Sequence, residues 1–161
     1  MKISSISEVK KELNVLPKEE LIELLNKLSK HSMDNKEFLH YLLFEIDFEE
    51  NYISKIKEEI DVEFNLIKGR TWKSIKKSIQ RILRIIKKHI KYSKKPETEI
   101  ELLMYFCKKL SAFKSIFKNN PVILNIYIRQ ITAINKALNK LHEDIQYDYK
   151  VEIEEATEIL L

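Results

Sequence analysis

An all-α fold is what this sequence predicts, and three observations carry that expectation. Breakers are scarce, with one glycine (Gly69) and prolines only at Pro17, Pro96 and Pro121 in 161 residues. That leaves little room for the tight turns of a β-sandwich or for a Gly-rich nucleotide loop. Ile, Leu, Lys and Glu are abundant, and apolar residues recur at the i, i+3, i+4 spacing of a helix face. The length suits one domain, 1–161, large enough to bury a core.

The elements follow in order. Ser7 before "EVKKEL" starts a short helix near 8–14. Pro17 opens a second near 17–30, with Glu19 and Glu20 in its first turn and Leu21, Leu24, Leu25 and Leu28 as its inward stripe. Asp34 and Glu37 form a capping box for a third near 35–46, whose core face reads Phe38, Leu39, Leu42, Leu43 and Ile46. A second box, Asp47 with Glu50, starts a fourth carried by Phe48, Tyr52, Ile53, Ile56, Ile60, Phe64 and Ile67, with Gly69 as its left-handed stop.

The fifth helix runs from about Trp72 to Tyr92, and Pro96 with Glu97 and Glu99 opens the sixth, which buries Ile100, Leu103, Phe106, Cys107, Leu110, Phe113 and Phe117. Asn120 caps the seventh at Pro121, with Ile123, Ile126, Tyr127, Ile131, Ile134, Leu138 and Leu141 inward. The tail, "DIQYDYKVEIEEATEIL", alternates like a strand through Ile145, Tyr147, Tyr149, Val151 and Ile153, yet Ile145, Tyr149, Ile153, Ala156 and Leu160 also fit a helix. Helix is the reading taken, because no second strand exists to pair with it. Seven or eight antiparallel helices result, as a short curved stack of helical hairpins or a compact bundle. The stack is favoured because most helices show a single apolar face.

Residues 13–43, "LNVLPKEELIELLNKLSKHSMDNKEFLHYLL", resemble the opening of an uncharacterised bacterial domain-of-unknown-function family of small helical proteins. Lys18, Glu19, Glu20, Leu21, Ile22, Glu23 and Leu24 match its first motif, and Lys36, Glu37, Phe38 and Leu39 its second. The likeness covers roughly the first two thirds of the chain and stops where "KNNPVILNIYIRQI" replaces the family's acidic, aromatic stretch. It implies a helical fold and no established activity.

Composition sets the outer limits on function. The formal charge of +4 is mild, so electrostatic function depends on how charge is arranged. The lone Cys107 reads as a buried packing residue in a reducing cytoplasm, and no stretch has the 18 or so uncharged apolar residues of a membrane span.

Residues 68–95 carry twelve Lys and Arg and no acid. With Trp72 at 0° and about 100° per residue, Ile75, Ile79, Ile82, Leu83, Ile86 and Ile90 fall between about 280° and 20°, on Trp72's side, and the helical cations between about 40° and 180°. Such a stripe suits a nucleic-acid backbone, with Arg70, Lys73, Lys77, Arg81, Arg84, Lys88 and Lys91 as anion contacts. The competing reading neutralises the stripe within the fold, by the acids of the fourth helix or of the tail.

Arg84 and His89 have the Arg-x4-His spacing of the helical HEPN ribonucleases, a resemblance that implies metal-independent RNA cleavage. Glu37-x-x-His40 matches half of a di-iron carboxylate site but lacks the second half, so no metal and no cofactor are expected. The reading taken is a non-enzymatic, cytoplasmic helical adaptor whose partner is a protein, a second copy or a nucleic-acid backbone. The HEPN-like ribonuclease is the alternative.

Overall fold

The computed structural model describes residues 2–67, 71–112 and 120–158. Every regular element among them is helical, in eight α-helices and one π-helical turn. The chain divides into two compact units, Met1–Phe44 and Glu45–Leu161.

The first unit holds α1 (Ile6–Val15), α2 (Lys18–His31) and α3 (Met33–His40), the last running into a π-helical turn at Tyr41–Glu45. The caps differ from expectation. Ser5, not Ser7, opens α1, and a complete capping box joins its side chain to Glu8. Pro17 is the N-cap of α2 rather than its first residue. Ser32 caps α3 by accepting from the Asn35 amide at 3.1 Å, in place of the Asp34 box.

The expected α2 stripe is a correction. Leu24, Leu25 and Leu28 are exposed and Leu21 is only half-buried, while beyond α3 Leu42, Leu43 and Ile46 are exposed too. Helical spacing places residues on one face, but burial needs a second layer. Within this unit only α3 packs substantially on α2, which is too little to enclose that face.

The second unit is a compact bundle of α4 (Glu49–Asn65), α5 (Trp72–Ser93), α6 (Pro96–Ser111), α7 (Pro121–Leu138) and α8 (Glu143–Glu158). Central α6 packs on α4, α5, α7 and α8. Contacts between helices that are not consecutive, α4 with α6 and α6 with α8, fit a compact bundle, one of the two arrangements expected from the sequence.

The core lies where α4–α7 put their apolar faces: Ile56, Ile60 and Phe64 meet Ile79, Ile82 and Ile86, with Leu103, Phe106 and Leu110 on α6 and Ile123, Tyr127 and Ile134 on α7, all buried. Phe64 and Phe106 rings lie 5.7 Å apart. Each fully buried Ile or Leu contributes about 1.5–3 kcal/mol to burial, so this layered face outweighs helix propensity in fixing the bundle.

Phe48, not Asp47, occupies the N-cap of α4, and its side chain is exposed. The left-handed position belongs to Lys94 (φ 57°), which ends α5 and leaves a two-residue link to α6. Around that link Ser93 and Thr98 both donate to Glu49 Oε1 at 2.5 Å, and Lys95 reaches Glu49 Oε2 at 3.0 Å, tying three helix ends together. Pro96 opens α6, and Asn120 caps α7 by accepting from the Val122 amide at 3.0 Å, both as expected. The tail is helical: α8 buries Ile153 against its neighbours α6 and α7. Cys107 is fully buried, and burial pushes its thiol up to about 12. The Gly69 stop, Phe113, Phe117 and Leu160 lie outside the described residues.

Candidate nucleic-acid interface

The site begins with why α5 is two-sided. Thr71 caps it by accepting from the Ser74 amide, and over 22 residues the isoleucines return to one face while lysine and arginine take the other. The buried face is Ile79, Ile82, Leu83, Ile86, His89 and Tyr92. Trp72 is a correction: it is 45 % exposed rather than turned into the core, because the buried layer begins two turns later at Ile79 and Trp72 sits at the first turn. Ile75 and Ile90 are only half-buried.

On the opposite face Lys73, Lys77, Arg81, Arg84, Lys87 and Lys91 are exposed and Lys88 is half-exposed. Arg70 lies outside the described residues. Acidic α4 engages one edge of this stripe. Glu63 pairs with Arg81, and Glu59 faces His89, with Nε2 3.6 Å from the carboxylate. The His89 ring, and more weakly Lys88, hold the Glu59 carboxyl below its ordinary value of 4.5 against the opposing effect of its own partial burial. Among the described residues no carboxylate forms an ion pair with Lys73, Lys77, Arg84, Lys87 or Lys91. Of the acids of α8, Glu152 and Glu155 line a different hollow, with Lys57, Glu101 and Lys108.

A residue the sequence reading did not single out joins the site. Arg129, exposed on α7, faces Arg84 and Lys87 of α5 across a groove of about 510 Å3. Leu83 and Ile126 supply its apolar lining, and Gln80 and Gln130 its amides. Gln80 and Arg84 also line an adjacent hollow of about 470 Å3 with Lys77 and Arg81, so the cationic surface is continuous over several turns. Lone among the apolar residues of "PVILNIYIRQ", Arg129 gave only one hint, the polar Arg-Gln pair interrupting that run.

Arg84 and His89 do not share a face. They stand five positions apart, about 140° around the helix, so Arg84 points to solvent while His89 is buried. The Tyr52 hydroxyl and His89 Nδ1 are hydrogen-bonded at 2.6 Å, and Tyr92 packs edge-on against the same ring, its centroid 5.7 Å away. His89 Nε2 has no hydrogen-bond partner. Its position is that of a packed core histidine oriented by Tyr52.

His40 is exposed in the first unit and lies against Phe44, with ring centroids 5.1 Å apart. No described helix is long and apolar enough to cross a membrane. Compared with known proteins, the chain matches no family model, no curated protein and no solved structure.

Proposed function

We propose that this chain is a cytoplasmic, non-catalytic binding protein whose second unit holds the phosphate backbone of a nucleic acid along the outer face of α5. The observation that carries the proposal is the unneutralised stripe: Lys73, Lys77, Arg84, Lys87 and Lys91, with Arg129 beside them, face solvent with no described carboxylate in ion-pair reach. Phosphates along such a stripe displace condensed counterions, so affinity depends on salt and little on base sequence. If about four phosphates are neutralised, log K falls with log salt at a slope of about −3.6 on duplex or −2.8 on a single strand. Raising salt fourfold then weakens binding by roughly 150-fold or 50-fold respectively. A titration of labelled nucleic acid by fluorescence anisotropy at several salt concentrations tests this, and a flat response sinks it.

A protein partner is favoured by a separate observation, the exposed Ile6, Val9 and Leu13 of α1 and Ile22, Leu25 and Leu28 of α2. Contiguous apolar helix faces of this kind serve helix-to-helix association, including between copies. Light scattering after size exclusion, over a range of protein concentrations, reads self-association directly, and a monomer mass throughout removes the second-copy version. The resemblance of residues 13–43 to the small bacterial family belongs to the same proposal and adds no reaction to it.

A further inference from the structure

The groove between α5 and α7 offers chemistry that a bare electrostatic strip lacks. Arg84 and Lys87 on one wall and Arg129 on the other bring three cations from two helices to a single hollow of about 510 Å3. That volume lies within the range of sites that hold small organic molecules. Leu83 and Ile126 give the hollow an apolar surface beside those charges. Gln130, 4 % exposed, lines it as well. Its Nε2 donates to the Ile126 carbonyl at 2.8 Å, so Oε1 remains as the acceptor of that amide.

A duplex presents its phosphates outward and keeps its base faces stacked inside. It can meet the three cations but has no flat surface to set against Leu83 and Ile126. An unpaired strand carries the same phosphates together with free base faces and free Watson–Crick edges. We infer that this groove seats one unpaired nucleotide, so that the chain binds single-stranded nucleic acid in preference to duplex. Arg84, Lys87 and Arg129 hold the phosphate, the base lies against Leu83 and Ile126, and Gln130 Oε1 accepts from a base or sugar donor. This rests on the backbone-binding reading above, and the test separates the two.

A labelled oligonucleotide without self-complementarity is titrated with the full chain by anisotropy at one fixed low salt concentration, alone and annealed to its complement. The single strand is expected to bind about tenfold tighter, which is what covering roughly 60 Å2 of apolar surface supplies. Ile126→Lys adds a positive charge while obstructing the seat. If charge alone governs binding it tightens both forms, whereas the seated nucleotide requires the preference for single strand to collapse towards one. Lys73→Ala, away from the groove, is expected to weaken both forms by the same factor and leave the preference intact.

Circular dichroism and a melting curve confirm that Ile126→Lys is folded. Should it not fold, the milder Ile126→Ala, which removes apolar surface from the groove and no charge, replaces it and is expected to weaken the single strand more than the duplex. Equal affinity for the two forms in the wild-type chain, or a preference unchanged in a folded groove variant, overturns the inference and leaves backbone binding standing. Failure of both forms to bind at low salt overturns the backbone-binding reading and this one with it.

Discussion

Removing the carboxylate of Glu63 releases Arg81, the one stripe arginine among the described residues that the fold holds in an ion pair. Arg81 pairs with Glu63, the arginine side chain half-exposed and the glutamate mostly covered. In the Glu63→Gln protein the guanidinium is free to take one further phosphate. One added contact steepens the salt slope by about 0.7 to 0.9 and at 0.1 M salt strengthens binding about fivefold or more. The cost to stability is expected to be about 1–3 kcal/mol, because the arginine is half-exposed while the carboxylate oxygen that meets it is buried. The assay is an anisotropy titration of wild type and variant across four salt concentrations, with a urea melt of each to register the lost pair. An unchanged slope and affinity in a folded variant would refute the placement of Arg81 on the binding surface.

Other perturbations probe the frame around the site. Tyr52→Phe strands His89 Nδ1 in the core and is expected to cost about 1–3 kcal/mol in urea unfolding; a change within error means that hydrogen bond does not orient the ring. Because Glu59 has a folded-state pKa below its ordinary 4.5, it adds stability that is fully present above that value and is lost as pH falls through the folded value. The difference in melting temperature between wild type and Glu59→Gln is therefore expected to shrink as pH falls below about 4.5, and a constant difference contradicts it. Cys107, with its thiol pushed up to about 12 by burial, is expected to resist a thiol reagent near pH 8 until the chain is unfolded. Rapid labelling of the native protein speaks against the packing around α6.

Much of the second unit was legible because its local signals and its packing agree. Pro96 and the Asn120-Pro121 pair start helices where such residues satisfy or lack an amide. The three- and four-residue recurrence of Ile56, Ile60 and Phe64, or of Ile79, Ile82 and Ile86, finds a facing layer. The tail is a helix over Glu143–Glu158 because α6 and α7 receive its Ile153. The leucines of α2 carry the same recurrence without being buried, since periodicity encodes a shared face and not what covers it.

Caps were misplaced where several candidates stand within one turn, as with Ser4, Ser5 and Ser7, and only the hydrogen bond to the Glu8 amide decides among them. The left-handed Lys94 leaves no sequence mark, because the usual glycine is absent there. The cationic face of α5 was readable from the sequence alone. Its completion by Arg129 was not, since the nearness of α5 to α7 is a product of the bundle.

The salt dependence of nucleic-acid affinity bears most directly on the central claim, measured on the wild-type chain beside a triple variant in which Lys77, Arg84 and Lys87 are each changed to Glu. Backbone binding along α5 requires log K to fall with log salt at a slope of about −2.8 on a single strand or −3.6 on duplex in the wild type, and binding to be all but lost in the folded variant. A wild-type slope near zero, or a triple variant that binds as the wild type does, would contradict it.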